Sequence, residues 1–372
     1  MGGEGAAKQY RKTPCCLGGL PDAQNAARPG QRIIFVLRHA RYLAFDALRG
    51  VAAIAVLFHH AERELHLPEL FAYGYLAVDF FFLMSGFVIA AAYDERMRGG
   101  LSLPAFVRIR LARLYPMMAL GGVLGIVASF WTTPGDPQIW LAGLSALFMI
   151  PLLWNAPVLF PANIPEWSIF FELVTNFLHC GLARILTMKV LIGIIVASFL
   201  ALLVAGWKLH GLANGYSPDT FWGGFPRTFL SYFGGVLLHR TRAVWQKKVP
   251  PAPFALLVCA FPAIVLAAKF ATQWVPASAY FLLAVLVLNP MLLMLLATVT
   301  PGKRATAWCE GMGALSYPLY AIHVPLLVLA APYVVDLSLP ARYAIGTVIC
   351  MAIAVIALGT QARIPPMAKA PA

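Results

Sequence analysis

Charge is scarce in this chain: only 12% of its 372 residues are Asp, Glu, Lys or Arg, against about a quarter in a soluble globular domain. Acidic residues are the scarcer sign, 15 against 28 Lys plus Arg. So little ionic surface cannot keep a chain that is 60% hydrophobic, with a mean hydropathy of +0.76, in water. A soluble globular protein is excluded. The six cysteines, Cys15, Cys16, Cys180, Cys259, Cys309 and Cys350, show no CxxC or CxxH spacing. Neither a metal site nor a disulfide framework is therefore read from them. The phosphate-cradling glycine loop is also missing, which leaves adenylyl or phosphoryl transfer without support. No repeat of fixed period and no second domain is visible.

The chain does have long apolar runs and a surplus of cations. A formal charge of +13 would suit nucleic acid if it formed one basic patch. Instead the Lys and Arg residues sit between the apolar runs, so no nucleic-acid partner is expected. Crossing roughly 30 Å of hydrocarbon takes about 20 residues. Stretches of that length lie near 43–62, 74–93, 114–133, 166–187, 190–208, 222–240, 253–271, 278–299, 313–333 and 341–361. An eleventh, 139–154, is short and runs into Pro151, Asn155, Pro157 and Pro161, so it reads as a re-entrant or interfacial helix.

Basic residues mark alternate loops. Arg32, Arg38 and Arg41 precede the first span, and Arg96, Arg98, Arg108, Arg110 and Arg113 separate the second from the third. Arg184 and Lys189 follow the fourth span, Arg240, Arg242, Lys247 and Lys248 the sixth, and Lys303 and Arg304 the eighth. Residues 114–183 contain no Lys or Arg. Cytoplasmic loops carry such an excess, so the pattern predicts an all-α, polytopic membrane protein of about ten transmembrane helices with both termini cytoplasmic. Residues 1–40, rich in Gly, Ala, Pro and Arg without an apolar core, read as a disordered cytoplasmic leader rather than a signal peptide. The membrane domain is expected over 41–363, with a short cytoplasmic tail over 364–372.

Ionisable groups inside spans cost about 2.5–3.5 kcal/mol each on insertion scales, so each one is a functional hypothesis. The first span carries Asp46, Arg49 and His60. Arg49 and His60 are eleven residues apart, so they share a face roughly 16 Å apart along the axis. Asp46 and Arg49 are i,i+3 neighbours that can neutralise each other, and His59 points away from the Arg49 face. Arg110 and Arg113 share a second face, and two guanidiniums held together match phosphate geometry. Ser85 and Gly86, small residues among aromatics, mark close helix packing. Trp167, Ser168 and Glu172 open the fourth span, Arg227 lies in the sixth, and Tyr317, Tyr320 and His323 lie midway along the ninth. Each of these taken singly is also consistent with a structural role.

Taken in order, these segments resemble the acyltransferase-3 family of bacterial membrane proteins. The resemblance rests on Asp46-x-x-Arg49-Gly50 with His60 eleven residues after Arg49, Phe80-Phe81-Phe82-Leu83-Met84-Ser85-Gly86-Phe87, and Arg110-x-x-Arg113 before Tyr115-Pro116. Trp167-Ser168 with Glu172, and Tyr317-x-x-Tyr320-x-x-His323-x-Pro325, complete it over about residues 41 to 361. The resemblance implies a ten-helix enzyme of the bacterial inner (plasma) membrane. Such an enzyme moves an acyl group, often acetyl, from cytoplasmic acyl-CoA to a hydroxyl of a sugar such as exopolysaccharide or lipopolysaccharide. Acyl-CoA is then a donor substrate, with no tightly bound cofactor and no metal expected. His60 takes the catalytic role, with Arg49 its partner and Glu172 a further catalytic candidate. Arg110 and Arg113 bind the donor; Asp46, Ser85, Trp167, Tyr320 and His323 are candidate substrate contacts. Some relatives continue into an extracytoplasmic hydrolase-like domain that has no counterpart in this sequence, so a relay to an acceptor outside would need a separate partner protein.

Acyl transfer to an alcohol requires a base for the hydroxyl proton, and a neutral imidazole serves near neutral pH. Direct transfer and an acyl-histidine intermediate are both compatible with these residues. Intramembrane Arg, Asp and His also suit a secondary transporter or flippase for a glycan or lipid-linked intermediate. Against that alternative, the two halves show no inverted repeat and no paired Gly/Pro-broken helices.

Overall fold

The computed structural model describes residues 42–363. The expected leader (1–40) and tail (364–372) lie outside the described residues. Within them every regular element is a helix, because hydrocarbon offers no partner for backbone N–H and C=O groups and a helix satisfies them internally. The longer helices are α1 (Leu43–Glu64), α2 (Leu76–Arg98), α3 (Leu103–Thr132), α4 (Ile139–Phe148), α5 (Glu166–Leu182), α6 (Met188–Lys208), α7 (Phe221–Arg240), α8 (Phe254–Ala271), α9 (Ala277–Thr298), α10 (Lys303–Val334) and α11 (Leu339–Arg363).

Seven of these, α1, α2, α3, α6, α8, α9 and α10, are long and apolar enough to cross a membrane. Each of the ten stretches expected to span falls on one of the helices. α5 and α7 do not meet that standard by themselves: α5 has 17 residues and carries Glu166 and Glu172, and α7 carries Arg227 in its second turn. α4 has ten residues, about 15 Å of helix, too short to cross. It exposes Trp140 and Phe148, as an interfacial helix does.

Two helices start earlier than the apolar runs indicate. The side chain of Ser102 accepts a hydrogen bond from the Ala105 N–H at 3.4 Å and Pro104 occupies the first turn, a favourable helix start. α3 therefore begins eleven residues before the expected 114, and the basic cluster sits on its first turns. α10 runs for 32 residues through Pro318, Pro325 and Pro332. Pro325 has no N–H to give the Ala321 carbonyl one turn before it. Asn163 supplies the donor instead, its Nδ2 lying 2.8 Å from that oxygen.

The helices divide into an inner and an outer set. In α10, α2 and α1, 72%, 67% and 56% of the most apolar window is buried within the protein, against 17% in α6 and 22% in α8. α10 packs most extensively on α1 and α3, and α2 on α7. α1 and α10 run parallel, since Gly50 meets Met312 and His60 meets His323. α3 and α10 are parallel too: Tyr317 donates to the Leu114 carbonyl and Gly121 meets Ala321.

α2 and α7, also parallel, are clasped at both ends. Near their starts, Arg227 Nε and Nη2 donate to Asp79 Oδ1 and Oδ2 at 3.0 and 2.7 Å. Near their ends, Arg240 Nε and Nη2 donate to Asp94 Oδ2 and Oδ1 at 2.8 and 2.7 Å. Between the clasps the backbones touch. A Cβ on Gly86 would overlap the Tyr232 carbonyl oxygen, and one on Gly235 the Leu83 carbonyl oxygen. The close-packing role expected of the Ser85-Gly86 step thus falls on Gly86, whereas Ser85 faces the interior cleft.

Gly86→Leu is expected to force α2 from α7 and destabilise the protein by at least about 1–3 kcal/mol, the usual overpacking cost. Gly193→Leu, on α6 where a Cβ meets nothing within 4 Å, is the matched control. Thermal unfolding in one detergent compares them, and equal melting temperatures would refute the close-approach argument.

Candidate active site

A cleft of about 870 Å³, counting its open mouth, lies among α1, α2, α3, α5 and α10. One wall is apolar, built from Val78, Phe81, Phe82, Met84, Val88 and Ile89 of α2. A second part of the lining is cationic: Arg49 from α1, and Arg110 and Arg113 from α3. The i,i+3 spacing places both α3 arginines in the cleft, while exposed Arg108 does not line it.

Glu172 of α5 organises this end. Its Oε1 accepts from Arg110 Nη2 at 3.0 Å and from the Ser85 hydroxyl at 2.7 Å. Arg110 is 5% exposed, so its charge needs that partner. Asp46 lies 3.9 Å from Arg49, whose side chain is 29% exposed. Arg113 is exposed, and the Glu172 carboxylate acts on it through charge. Among the described residues, three guanidiniums and the carboxylates of Glu172 and Asp46 make up the charged groups at this end.

Tyr320 closes the far end. Its hydroxyl and that of Ser168 are 2.6 Å apart. Ser168 gives its single proton to the Pro165 carbonyl at 3.1 Å, so Tyr320 is the donor. The Tyr320 ring stands edge-on to Phe81 at 5.6 Å and lies 5.9 Å from His323. His323 in turn lies 5.1 Å from His60, centroid to centroid. A line of side chains therefore runs from the arginines through Tyr320 to a pair of histidines.

The sequence-derived candidates divide accordingly. Arg49, Ser85, Arg110, Arg113, Glu172 and Tyr320 line the cleft. His60 and His323 stand together just beyond Tyr320, and Asp46 stands behind Arg49. Trp167 is placed elsewhere: it lies under Arg227, 5.2 Å from ring to guanidinium, and supports the α2–α7 clasp instead of the cleft. His59 is occupied outside too, its Nδ1 3.1 Å from the Phe71 carbonyl. Residue-by-residue reading missed the network of Asp94, His179 and Tyr232. There His179 Nδ1 meets the Tyr232 hydroxyl at 3.0 Å and Nε2 lies 3.4 Å from Asp94. A histidine within the fourth apolar stretch was the available signal.

A membrane-embedded cleft that combines a cationic wall, an apolar wall and a nearby imidazole pair has the groups that acyl transfer uses. The profile of the family described as an acyltransferase domain matches residues 42–359. The chain belongs to that family, acyltransferase-3, and is a multi-pass membrane acyltransferase. Protein 2 in picA locus of Rhizobium radiobacter is 32% identical over 185 residues, 44% of this chain and 94% of that protein. Acyltransferase MdmB of Streptomyces mycarofaciens is 28% identical over 152 residues, 36% of this chain. The matched region spans only 37% of the length of MdmB. No solved structure matches significantly.

Glu172→Ala leaves the guanidinium of Arg110 buried without its counter-charge and is expected to cost about 3–5 kcal/mol. Ser85→Ala, which removes one hydrogen bond to that carboxylate, is expected to cost about 1.5–3 kcal/mol. Chemical unfolding in mixed micelles checks the ranking; the reverse order would mean that Glu172 does not hold Arg110.

Proposed function

We propose that the enzyme takes an acetyl or other short acyl group from cytoplasmic acyl-CoA and transfers it to a hydroxyl of a carbohydrate such as exopolysaccharide or lipopolysaccharide sugar. The observation that carries this reading is the convergence of Arg49, Arg110 and Arg113 on one cleft. Arg110 and Arg113 pair with the donor's phosphates at the cytoplasmic mouth. The pantetheine arm and acyl group lie along the apolar α2 wall toward Tyr320. Arg49 stabilises negative charge within the cleft.

His60 is the base in this proposal. It takes the acceptor's proton as the oxygen attacks the thioester carbonyl. Arg49 and His60 sit roughly 16 Å apart along one helix, so they serve different parts of an extended substrate. The ten-span arrangement with both termini inside, in a bacterial inner membrane, accompanies the proposal. It is supported by the parallel course of α3 and α10, which requires an odd number of crossings between them, and by α4 being too short to add a sixth to the five that α5 to α9 supply.

Purified protein is expected to bind acetyl-CoA and hydrolyse it slowly with water as acceptor. Arg110→Ala/Arg113→Ala is expected to weaken binding at least tenfold, since each charge-assisted contact contributes about 1.5–3 kcal/mol. His60→Ala should bind normally yet turn over about 10²–10⁴-fold more slowly. Folded wild-type protein without affinity for short acyl-CoA would refute the donor assignment.

A further inference from the structure

His323 is 1% exposed on α10, and its two ring nitrogens have different surroundings. Nδ1 lies 3.0 Å from the Leu319 carbonyl and 2.9 Å from the Tyr320 carbonyl. Both are acceptors, so Nδ1 carries a proton, and in the neutral ring Nε2 holds the lone pair. That nitrogen is buried and has no hydrogen-bond partner among the described residues. An unsatisfied buried polar atom costs about 1–3 kcal/mol, and one in a native structure calls for an explanation. The intrahelical bonds at Nδ1 hold the ring in one tautomer, as an acceptor of protons at Nε2. The neighbouring imidazole is His60, centroids 5.1 Å apart and planes tilted by 56°. At that spacing two rings can share a hydrogen bond directly or through one water.

Other titratable or charged groups facing the pair are few. His59 stands 5.1 Å from His60 but is bound to the Phe71 carbonyl. Arg63, three residues after His60 on α1, acts on it only through charge. Tyr320 contributes its ring face, its hydroxyl proton being committed to Ser168. No carboxylate is hydrogen-bonded to either imidazole among the described residues.

We infer that His60 and His323 form a two-histidine proton relay, with His323 Nε2 receiving the proton that His60 releases. This deepens the acyl-transfer reading above and rests on it. In the step itself, the acceptor oxygen forms a bond to the thioester carbonyl carbon and its O–H bond breaks; the C–S bond then breaks. His60 takes the hydroxyl proton on one ring nitrogen and passes the proton of the other to His323 Nε2. The proton returns through His60 to the departing thiolate, so both rings end neutral and the products are an ester and a free thiol. His323 never touches the substrate; it acts through His60.

The test uses the full-length protein in detergent, with acetyl-CoA as donor and water as acceptor. His323→Asn keeps an amide donor for the helix carbonyls while removing Nε2. It is expected to retain acetyl-CoA affinity and melting temperature, to lower kcat by about 10²-fold, and to displace the acid limb of the pH–rate profile. His60→Ala/His323→Asn is expected to be no slower than His60→Ala alone, because members of one relay are not additive. Wild-type kcat in His323→Asn, an unmoved pH profile, or losses that multiply in the double variant would each overturn the relay. If His323→Asn does not fold, His323→Gln, closer to imidazole in volume, carries the same comparison. Wild-type protein that fails to turn over acetyl-CoA would overturn the acyl-transfer reading itself. A failure of the relay alone would show only in the variants.

Discussion

Asp79 and Arg227 meet across α2 and α7 where neither has bulk water to turn to, being 1% and 2% exposed. In such a place an ion pair persists only if its geometry is good and its remaining donors are used. Here both carboxylate oxygens are engaged, the third guanidinium nitrogen donates to the Asn214 carbonyl at 3.1 Å, and the rings of Trp167 and Phe281 flank the cation. The pair keeps α2 and α7 in register, and with Asp94–Arg240 at the far end it makes one rigid wall. Since α2 supplies most of the cleft's apolar lining, the shape of the site depends on this wall.

The opposite side follows the same constraint with a different outcome. α1, α3 and α10 are held by backbone proximity: Gly50 against Met312, Gly121 against Ala321, and the Asn163 amide on the carbonyl released by Pro325. Small residues and borrowed hydrogen bonds are how helices associate where hydrophobic attraction is absent. Close approach of α1 to α10 is what brings His60 onto His323 and lets Tyr320 close the cleft.

The site is therefore spread along the bundle instead of gathered at one point. Arginines, Glu172 and Ser85 stand at one end, the imidazoles at the other, with Tyr320 between. A long donor that is anionic at its head and reactive at its tail fits this arrangement. Glu172, bonded to Arg110, and Asp46, beside Arg49, offset cationic charge that would otherwise be costly in a membrane-embedded wall.

Much of this was written into the sequence because lipid is a strict solvent. It dictates helix length and penalises stray charge, so the helices, the short α4 and the shared face of Arg110 with Arg113 were readable from spacing alone. Helix starts were less so: α3 and α10 extend beyond their apolar runs because capping at Ser102 and the bundle's own contacts, not hydropathy, carry those turns. What only the tertiary structure decided is which distant residues meet. Glu172 falls to Arg110, 62 positions away, and Asp79 to Arg227, 148 away. Trp167 leaves the cleft for that same arginine, and His323 presents beside His60 a nitrogen with no partner among the described residues. Those pairings depend on which helices are neighbours and how they are rotated. Periodicity along one chain fixes which face of a helix is polar; it cannot say what that face will meet.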